Sequence, residues 1–65
     1  MLAQLRATVT ISAIMPDLGG QTVEHRVSVQ GDTQEELRRF ALRKFRQAYP
    51  HAERPTIQKL ELIAD

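Results

Sequence analysis

The first third of the chain alternates strictly between apolar and polar positions. From Leu5 to Met15 every odd residue is apolar, and most even residues are Thr, Ser or Arg. This period of two, with many β-branched residues, is typical of a strand with one buried face. Pro16 has no N–H for a sheet ladder, so we expect the strand to end there. After the turn residues Gly19 and Gly20, a second apolar set alternates at Val23, His25, Val27 and Val29. The two strands, about 5–15 and 21–30, are predicted to pair as an antiparallel hairpin.

The apolar spacing then changes from that of a strand to that of a helix. Thr33 and Glu36 have the spacing of a capping box, in which each side chain accepts the backbone N–H of the other residue. Pro50 disfavours further helix, so we expect a helix over about 33–49. Its apolar stripe comprises Leu37, Ala41, Phe45, Ala48 and Tyr49, with Phe40 and Leu42 at its margins.

A proline-containing loop, Pro50–Pro55, separates this helix from a third alternating segment at about 56–63. There Leu60, Leu62 and Ala64 alternate with Lys59, Glu61 and Ile63. The right-handed crossover rule favours placing the third strand beside the first. The sequence therefore predicts an α+β fold: a two-layer β-β-α-β domain spanning 1–65. Its three-stranded antiparallel sheet would have the order 2-1-3, with one helix packed on one face.

Composition narrows the possible classes of protein. The chain has 65 residues, 42% hydrophobic and 26% charged, and no cysteine, so disulfides and thiolate sites are excluded. No apolar run reaches the roughly 18 residues of a membrane span, and the first residues lack the apolar core of a signal peptide. We therefore expect a cytoplasmic protein that makes no membrane contact.

The outer face of the helix is the first candidate site. Residues 37–52 contain five basic residues and no acid: Arg38, Arg39, Arg43, Lys44 and Arg46. At 100° per residue, Arg39, Arg43 and Arg46 fall in one strip opposite the apolar stripe. Glu35 can pair with Arg39, whereas Arg43 has only like charges at helical spacing, which is mildly destabilising. The strip could bind an anionic surface, or it could simply be solvated and favoured by the helix dipole.

The sheet face away from the helix is the second candidate. Its residues are largely polar and uncharged, but the alternation also places Ile14, Ile57 and Ile63 on it. We expect Ile57 to lie close to Ile14 and to form a small exposed apolar spot, which is either a partner contact or a set of isolated surface isoleucines. No aromatic residue falls on this face, so base stacking of the kind used by RNA-recognition sheets is not expected.

The free sheet edges are the third candidate. Glu24 and Arg26 point outward on the second strand and discourage uncontrolled strand pairing. Pairing across a two-fold axis would nevertheless enlarge the core of so small a domain, so a homodimer is expected slightly more often than a monomer.

Residues with catalytic or ligand-binding potential have simpler structural explanations. His25 belongs to the apolar set of its strand and is expected at the interface of sheet and helix. Asp17 and Asp32 suit a turn and a helix start. No metal-ligand spacing, nucleophile with a base, or glycine-rich phosphate loop is present. We therefore expect no enzymatic activity, no cofactor and no metal.

Three functions remain open. The first is a protein-binding adaptor or inhibitor that covers an acidic surface of its partner through the basic helix face or the Ile14/Ile57 end of the sheet. The second is phosphate-led binding of nucleic acid by the helix, although a net charge of +1 is low for a dedicated binder. The third is a structural subunit of a homo-oligomer. Chains of this size and layout are frequent among accessory proteins of phages and mobile elements, including inhibitors, but no motif here identifies a family.

Overall fold

The computed structural model describes residues 4–63 of the chain. Ala64, predicted to continue the inward set of the third strand, lies outside the described residues. The elements follow one another as β1 (Leu5–Met15), a 3-10 turn (Pro16–Leu18), β2 (Gln21–Gly31), α1 (Gln34–Ala48) and β3 (Glu53–Leu62). Among the described residues, no helix is long and apolar enough to span a membrane.

The three strands form one antiparallel sheet in the order β2-β1-β3, as predicted. β1 pairs with β2 without interruption from Leu5 opposite Gly31 to Met15 opposite Gln21. The regular register follows from the unbroken alternation in both strands, since a shift of one residue would turn every apolar side chain to the other face. α1 packs on one side of this sheet, which confirms the α+β two-layer fold.

The core lies between α1 and the odd-numbered residues of β1. Its buried members are Ala7, Val9, Ile11, Ala13, Val29, Leu37, Ala41 and Phe45. Phe40, Leu42 and Tyr49 pack against this cluster from the margins of the helix. Ala48, predicted in the buried stripe, is exposed. Tyr49, the next residue, packs against the core instead and is the C-cap residue of α1.

The N-terminus of α1 is capped much as the sequence predicts. The Thr33 hydroxyl accepts the backbone N–H of Glu36 at 3.1 Å. The Glu36 carboxylate accepts the backbone N–H of Asp32 at 2.8 Å. The return bond therefore reaches one residue before Thr33, rather than Thr33 itself, and two backbone donors at the start of the helix are satisfied.

β3 begins at Glu53, three residues before the predicted start, because a proline does not exclude an edge strand. β3 pairs only with β1, so the missing N–H of Pro55 can face the open edge. Arg54 adopts a left-handed backbone with φ of 50°. An extra residue at this point of β3 lies opposite β1 between Ser12 and Ile14. The expected loop is therefore an irregular start to the strand.

A second irregularity changes which face Ile57 occupies. Thr10 pairs with Lys59, whereas the next residue of β1, Ile11, pairs with Ile57, so Gln58 is an extra residue in β3. This β-bulge reverses the alternation of β3. Ile57 consequently lies with Ile11 on the helix side, half-buried against the core. Its predicted position on the open face beside Ile14 is wrong.

The molecule is elongated because α1 covers only one half of the hairpin. The radius of gyration is 12.7 Å, compared with about 10.7 Å for a compact chain of this length. In the N-terminal half of α1, Glu36 and Phe40 lie beside Gly31. At the other end, Tyr49 contacts His25 in the middle of β2. The half of β2 before His25, from Gln21 to Glu24, extends beyond the helix.

A basic face on the helix

Arg39, Arg43 and Arg46 lie on the side of α1 that points away from the sheet. All three are exposed, and the residues on the opposite side, Leu37 and Phe45, are completely buried. This follows from the helical repeat, which places residues three and four apart on one face. The structure therefore brings the three arginines together as the sequence predicts. We call this set the arginine strip.

No ion pair neutralises the arginine strip within the part of the chain that the structure describes. The expected ion pair between Glu35 and Arg39 does not form. The only ion pair between residues of the described range 4–63 joins Lys59 to Glu61 at 3.5 Å, on the other face of the sheet. The Arg43 guanidinium instead lies 5.8 Å from the centre of the Phe40 ring. This cation–π geometry orients the side chain and leaves its charge uncompensated.

Two of the five predicted basic residues lie apart from the arginine strip. The Lys44 ammonium donates a hydrogen bond of 2.8 Å to the backbone carbonyl of Ser28. Lys44 therefore faces β2 rather than solvent above the helix. Arg38 is exposed, but it lies about 100° around the helix from Arg39, on the flank opposite Phe40. The outward basic surface therefore consists of three side chains.

A shallow basin of about 420 Å³ opens on the arginine strip. It is lined by Arg39, Leu42, Arg43, Arg46 and Gln47. Leu42 is half-buried and apolar, and the three arginines that line the basin with it are exposed. Sequence reasoning missed Leu42 and Gln47 as members of this surface. Both could have been predicted from helical spacing, because Leu42 lies four residues before Arg46 and Gln47 lies four residues after Arg43.

A second groove, of about 540 Å³, lies beside the first, between α1 and the C-terminal half of β2. Its wall on the helix includes Phe40, Arg43, Lys44 and Gln47, and its wall on the sheet includes the segment 28–30. Arg43 and Gln47 line both depressions. The two depressions therefore adjoin at Arg43 and Gln47, and Phe40 lines the second of them.

The expected apolar spot on the open sheet face does not form. Ile14 is half-buried and pairs with Thr22 on one side and Glu53 on the other. Ile57 lies on the helix side, as described above. Ile63 is 46% exposed, but it lies at the opposite end of β1, where its N–H donates to the Arg6 carbonyl at 2.8 Å. The isoleucines of this face are therefore separated, and none adjoins another.

His25 has structural partners beneath the end of α1. Its Nδ1 atom and the Tyr49 hydroxyl are 3.1 Å apart, at hydrogen-bond distance. The two rings are in contact, with centroids 4.2 Å apart and planes tilted by 35°, and the Phe45 ring centre lies 5.9 Å from that of His25. In residues 4–63, no group of three or more His, Asp or Glu side chains is arranged to hold a metal ion.

Comparisons of the chain with known protein families, with curated proteins and with solved structures gave no match. The functional argument therefore depends on the geometry of the arginine strip and its basin.

Proposed function

We propose that this chain is a non-enzymatic binding module that covers an acidic surface of a partner protein with the arginine strip. The observation that carries this proposal is the uncompensated charge of Arg39, Arg43 and Arg46 around a partly apolar basin. Holding like charges at helical spacing costs a few tenths of a kcal/mol per pair. A carboxylate-bearing partner would remove that repulsion on binding.

Apolar side chains beside the arginine strip favour a protein partner over nucleic acid. Arginine is enriched in the centres of protein interfaces, where its apolar stem packs and its guanidinium pairs with carboxylates in a fork geometry. Leu42 and the Phe40 ring provide the packing surface for such contacts. A dedicated phosphate binder instead spreads many cations over a strongly basic domain, and this chain has a net charge of only +1.

By covering its partner's surface, the module would act as an adaptor or as an inhibitor of the partner's other contacts. This mode of action needs no catalytic group, cofactor or metal.

The direct test is site-specific photo-crosslinking in cells that express the protein. A photoreactive amino acid replaces Gln47, which borders the basin, and in a control it replaces Gln58, an exposed residue on β3. We expect the probe at position 47 to capture a protein through an acidic region of its surface. The probe at position 58 should not capture that protein.

Two matched charge reversals show whether the arginine strip is responsible. Arg43→Glu and Lys59→Glu each change the net charge by two, but only Arg43 lies on the strip. Arg43→Glu should abolish capture from position 47, whereas Lys59→Glu should leave it intact. Capture that survives Arg43→Glu would overturn the proposal.

Measuring the affinity for duplex and single-stranded oligonucleotides at increasing salt concentration distinguishes a nucleic-acid partner from an acidic protein partner. The three arginines of the strip could neutralise about three phosphates, so affinity would fall with rising salt concentration with a log–log slope of about −2.7. Binding with that slope, abolished by Arg43→Glu, would replace an acidic protein with nucleic acid as the partner. We expect no such binding.

A further inference from the structure

The free edge of β2 carries a self-complementary pattern of charge and hydrogen-bonding groups. We infer that two copies of this chain pair antiparallel along β2, with a two-fold axis at His25, to form a continuous six-stranded sheet. The inference is independent of the arginine strip. It rests on which backbone groups of β2 face the edge, where its charges lie, and how far α1 extends.

The direction of the backbone groups follows from two hydrogen bonds at opposite sides of the sheet. The Arg6 carbonyl accepts the N–H of Ile63, next to β3, so even-numbered residues of β1 turn their backbone groups toward β3. Odd-numbered residues of β1 then bond to β2, and their partners in β2 are also odd-numbered. The Ser28 carbonyl accepts a hydrogen bond from the Lys44 ammonium instead of from β1, as expected if the backbone groups of even residues of β2 face the free edge.

Only one self-pairing near the middle of this edge places opposite charges across from each other. In an antiparallel pair centred on His25, Glu24 lies opposite Arg26 of the second copy, and Arg26 lies opposite its Glu24. A shift by one residue on either copy is disfavoured, because it sets backbone groups that face the edge against groups that do not. A shift of two places Glu24 opposite Glu24, or Arg26 opposite Arg26, and like charges directly across a ladder are destabilising.

This register also matches the hydrogen-bonding groups and the apolar residues. The facing pairs 24–26 and 22–28 consist of even residues, whose N–H and C=O groups all point to the edge. On the helix side of the sheet, Val23 lies opposite Val27 of the second copy. Glu24 and Arg26 are both exposed, and neither forms an ion pair with another described residue.

The partial cover by α1 leaves room for the second copy. Each helix lies over β2 from Gly31 to His25. A rotation about His25 therefore places the second helix beside the uncovered half of the first β2, from Gln21 to Glu24. The two helices meet end to end rather than side by side, and Val23 gains apolar neighbours that it lacks in one chain.

Lys44 competes with the second copy for a hydrogen-bond acceptor on this edge. Its bond to the Ser28 carbonyl occupies an acceptor that Thr22 of the second copy needs. Removing the ammonium should therefore strengthen the dimer. Lys44→Met keeps an unbranched apolar side chain of similar length without the ammonium, and we expect the dimer dissociation constant to fall about threefold.

Charge reversal and restoration test the register in analytical ultracentrifugation. Glu24→Arg and Arg26→Glu each convert two opposite-charge pairs into two like-charge pairs and should raise the dissociation constant about tenfold. The exchanged variant E24R/R26E restores both pairs and should return the constant to within about twofold of wild type. Arg43→Glu, on the arginine strip, should leave it unchanged, so failure of the proposed function and failure of this inference are distinguishable.

Cysteine pairs test the geometry directly, because the natural chain has no cysteine. Hydrogen-bonded residues across an antiparallel pair have Cα atoms about 5.5 Å apart, within disulfide range. T22C/S28C should form a covalent dimer on mild oxidation. The single variants T22C and S28C should not, because equivalent residues of the two copies are separated by about 20 Å along the strand. A wild-type chain that stays monomeric at the highest attainable concentration overturns the inference, as does a dimer that E24R/R26E fails to restore or T22C/S28C fails to trap.

Discussion

The hydrogen bond between Tyr49 and His25 secures the end of α1 to the middle of β2. Both groups lie in the aromatic cluster with Phe45, where the phenol ring also contacts the Phe45 ring at a centroid distance of 5.2 Å. The sequence placed His25 in the apolar set but gave no sign of its partner, because the two residues are 24 positions apart in the chain.

Tyr49→Phe separates the hydrogen bond from the packing. It removes one hydroxyl and keeps the ring, so we expect a loss of about 1 kcal/mol in the free energy of unfolding. Tyr49→Leu also removes the ring contacts and should cost about another 1 kcal/mol. Urea denaturation of the three proteins measures both steps. Equal stability of Tyr49→Phe and wild type would show that the bond contributes nothing.

Arg54 is the one described residue other than glycine with positive φ. An L-residue in this conformation is strained by about 1–2 kcal/mol, and glycine avoids most of this strain at some cost in chain entropy. Arg54→Gly should therefore stabilise the protein by roughly 0.5–1 kcal/mol. Gly19→Ala, at a φ of 72°, should do the opposite. Thermal denaturation measures both, and destabilisation by Arg54→Gly would contradict the strain argument.

At the scale of the elements, β1, β2 and α1 follow their sequence patterns because nothing interrupts their periods. β3 differs from its pattern. Its early start depends on Pro55 lying on an edge strand, and its face depends on the extra residue Gln58. Neither has a local sequence signal, since a bulge is defined by the partner strand as much as by the bulged one. The wrong prediction of the face that Ile57 occupies results from the bulge at Gln58.

The same distinction holds for the candidate site. Helical spacing alone predicts the arginine strip, because Arg39, Arg43 and Arg46 share one face at any helix position. The position of Lys44 could not be predicted in this way, since its acceptor is the Ser28 carbonyl on another element. The shared face of the three arginines was therefore predictable from the sequence, and the contact of Lys44 with another element was not.

The start of α1 depends on its two capping bonds. Thr33→Ala removes the acceptor for the Glu36 N–H and should lower the free energy of unfolding by about 1 kcal/mol. Gln34→Ala, at the neighbouring exposed position, should change stability by less than about 0.5 kcal/mol. Chemical denaturation of both variants tests this. A loss of equal size in the two would indicate an effect of helix propensity rather than of the cap.

For the whole molecule, an elongated shape and a core of eight buried apolar residues within positions 4–63 imply low stability as a single chain. Pairing of two copies along β2 would increase the free energy of unfolding. Because association then contributes to unfolding, the Tm should rise with protein concentration. In Glu24→Arg, whose dimer dissociation constant is expected to be about tenfold higher, the same rise in Tm should require about tenfold more protein. Differential scanning calorimetry over a wide concentration range measures this, and a constant Tm for the wild type would count against association.

The hairpin beyond α1 has a consequence for native-state hydrogen exchange. In a single chain the amides of Met15 and Gln21, which face each other next to the turn, lie past the last turn of the helix, so they can open without disturbing Val9 or Leu37. Local opening requires less free energy than global unfolding where fewer packed side chains must separate. Exchange should therefore be fast toward the turn, slow beneath α1, and graded along β1 between them. Along β1 and β2, this protein would open from its turn, with the end beneath α1 opening last.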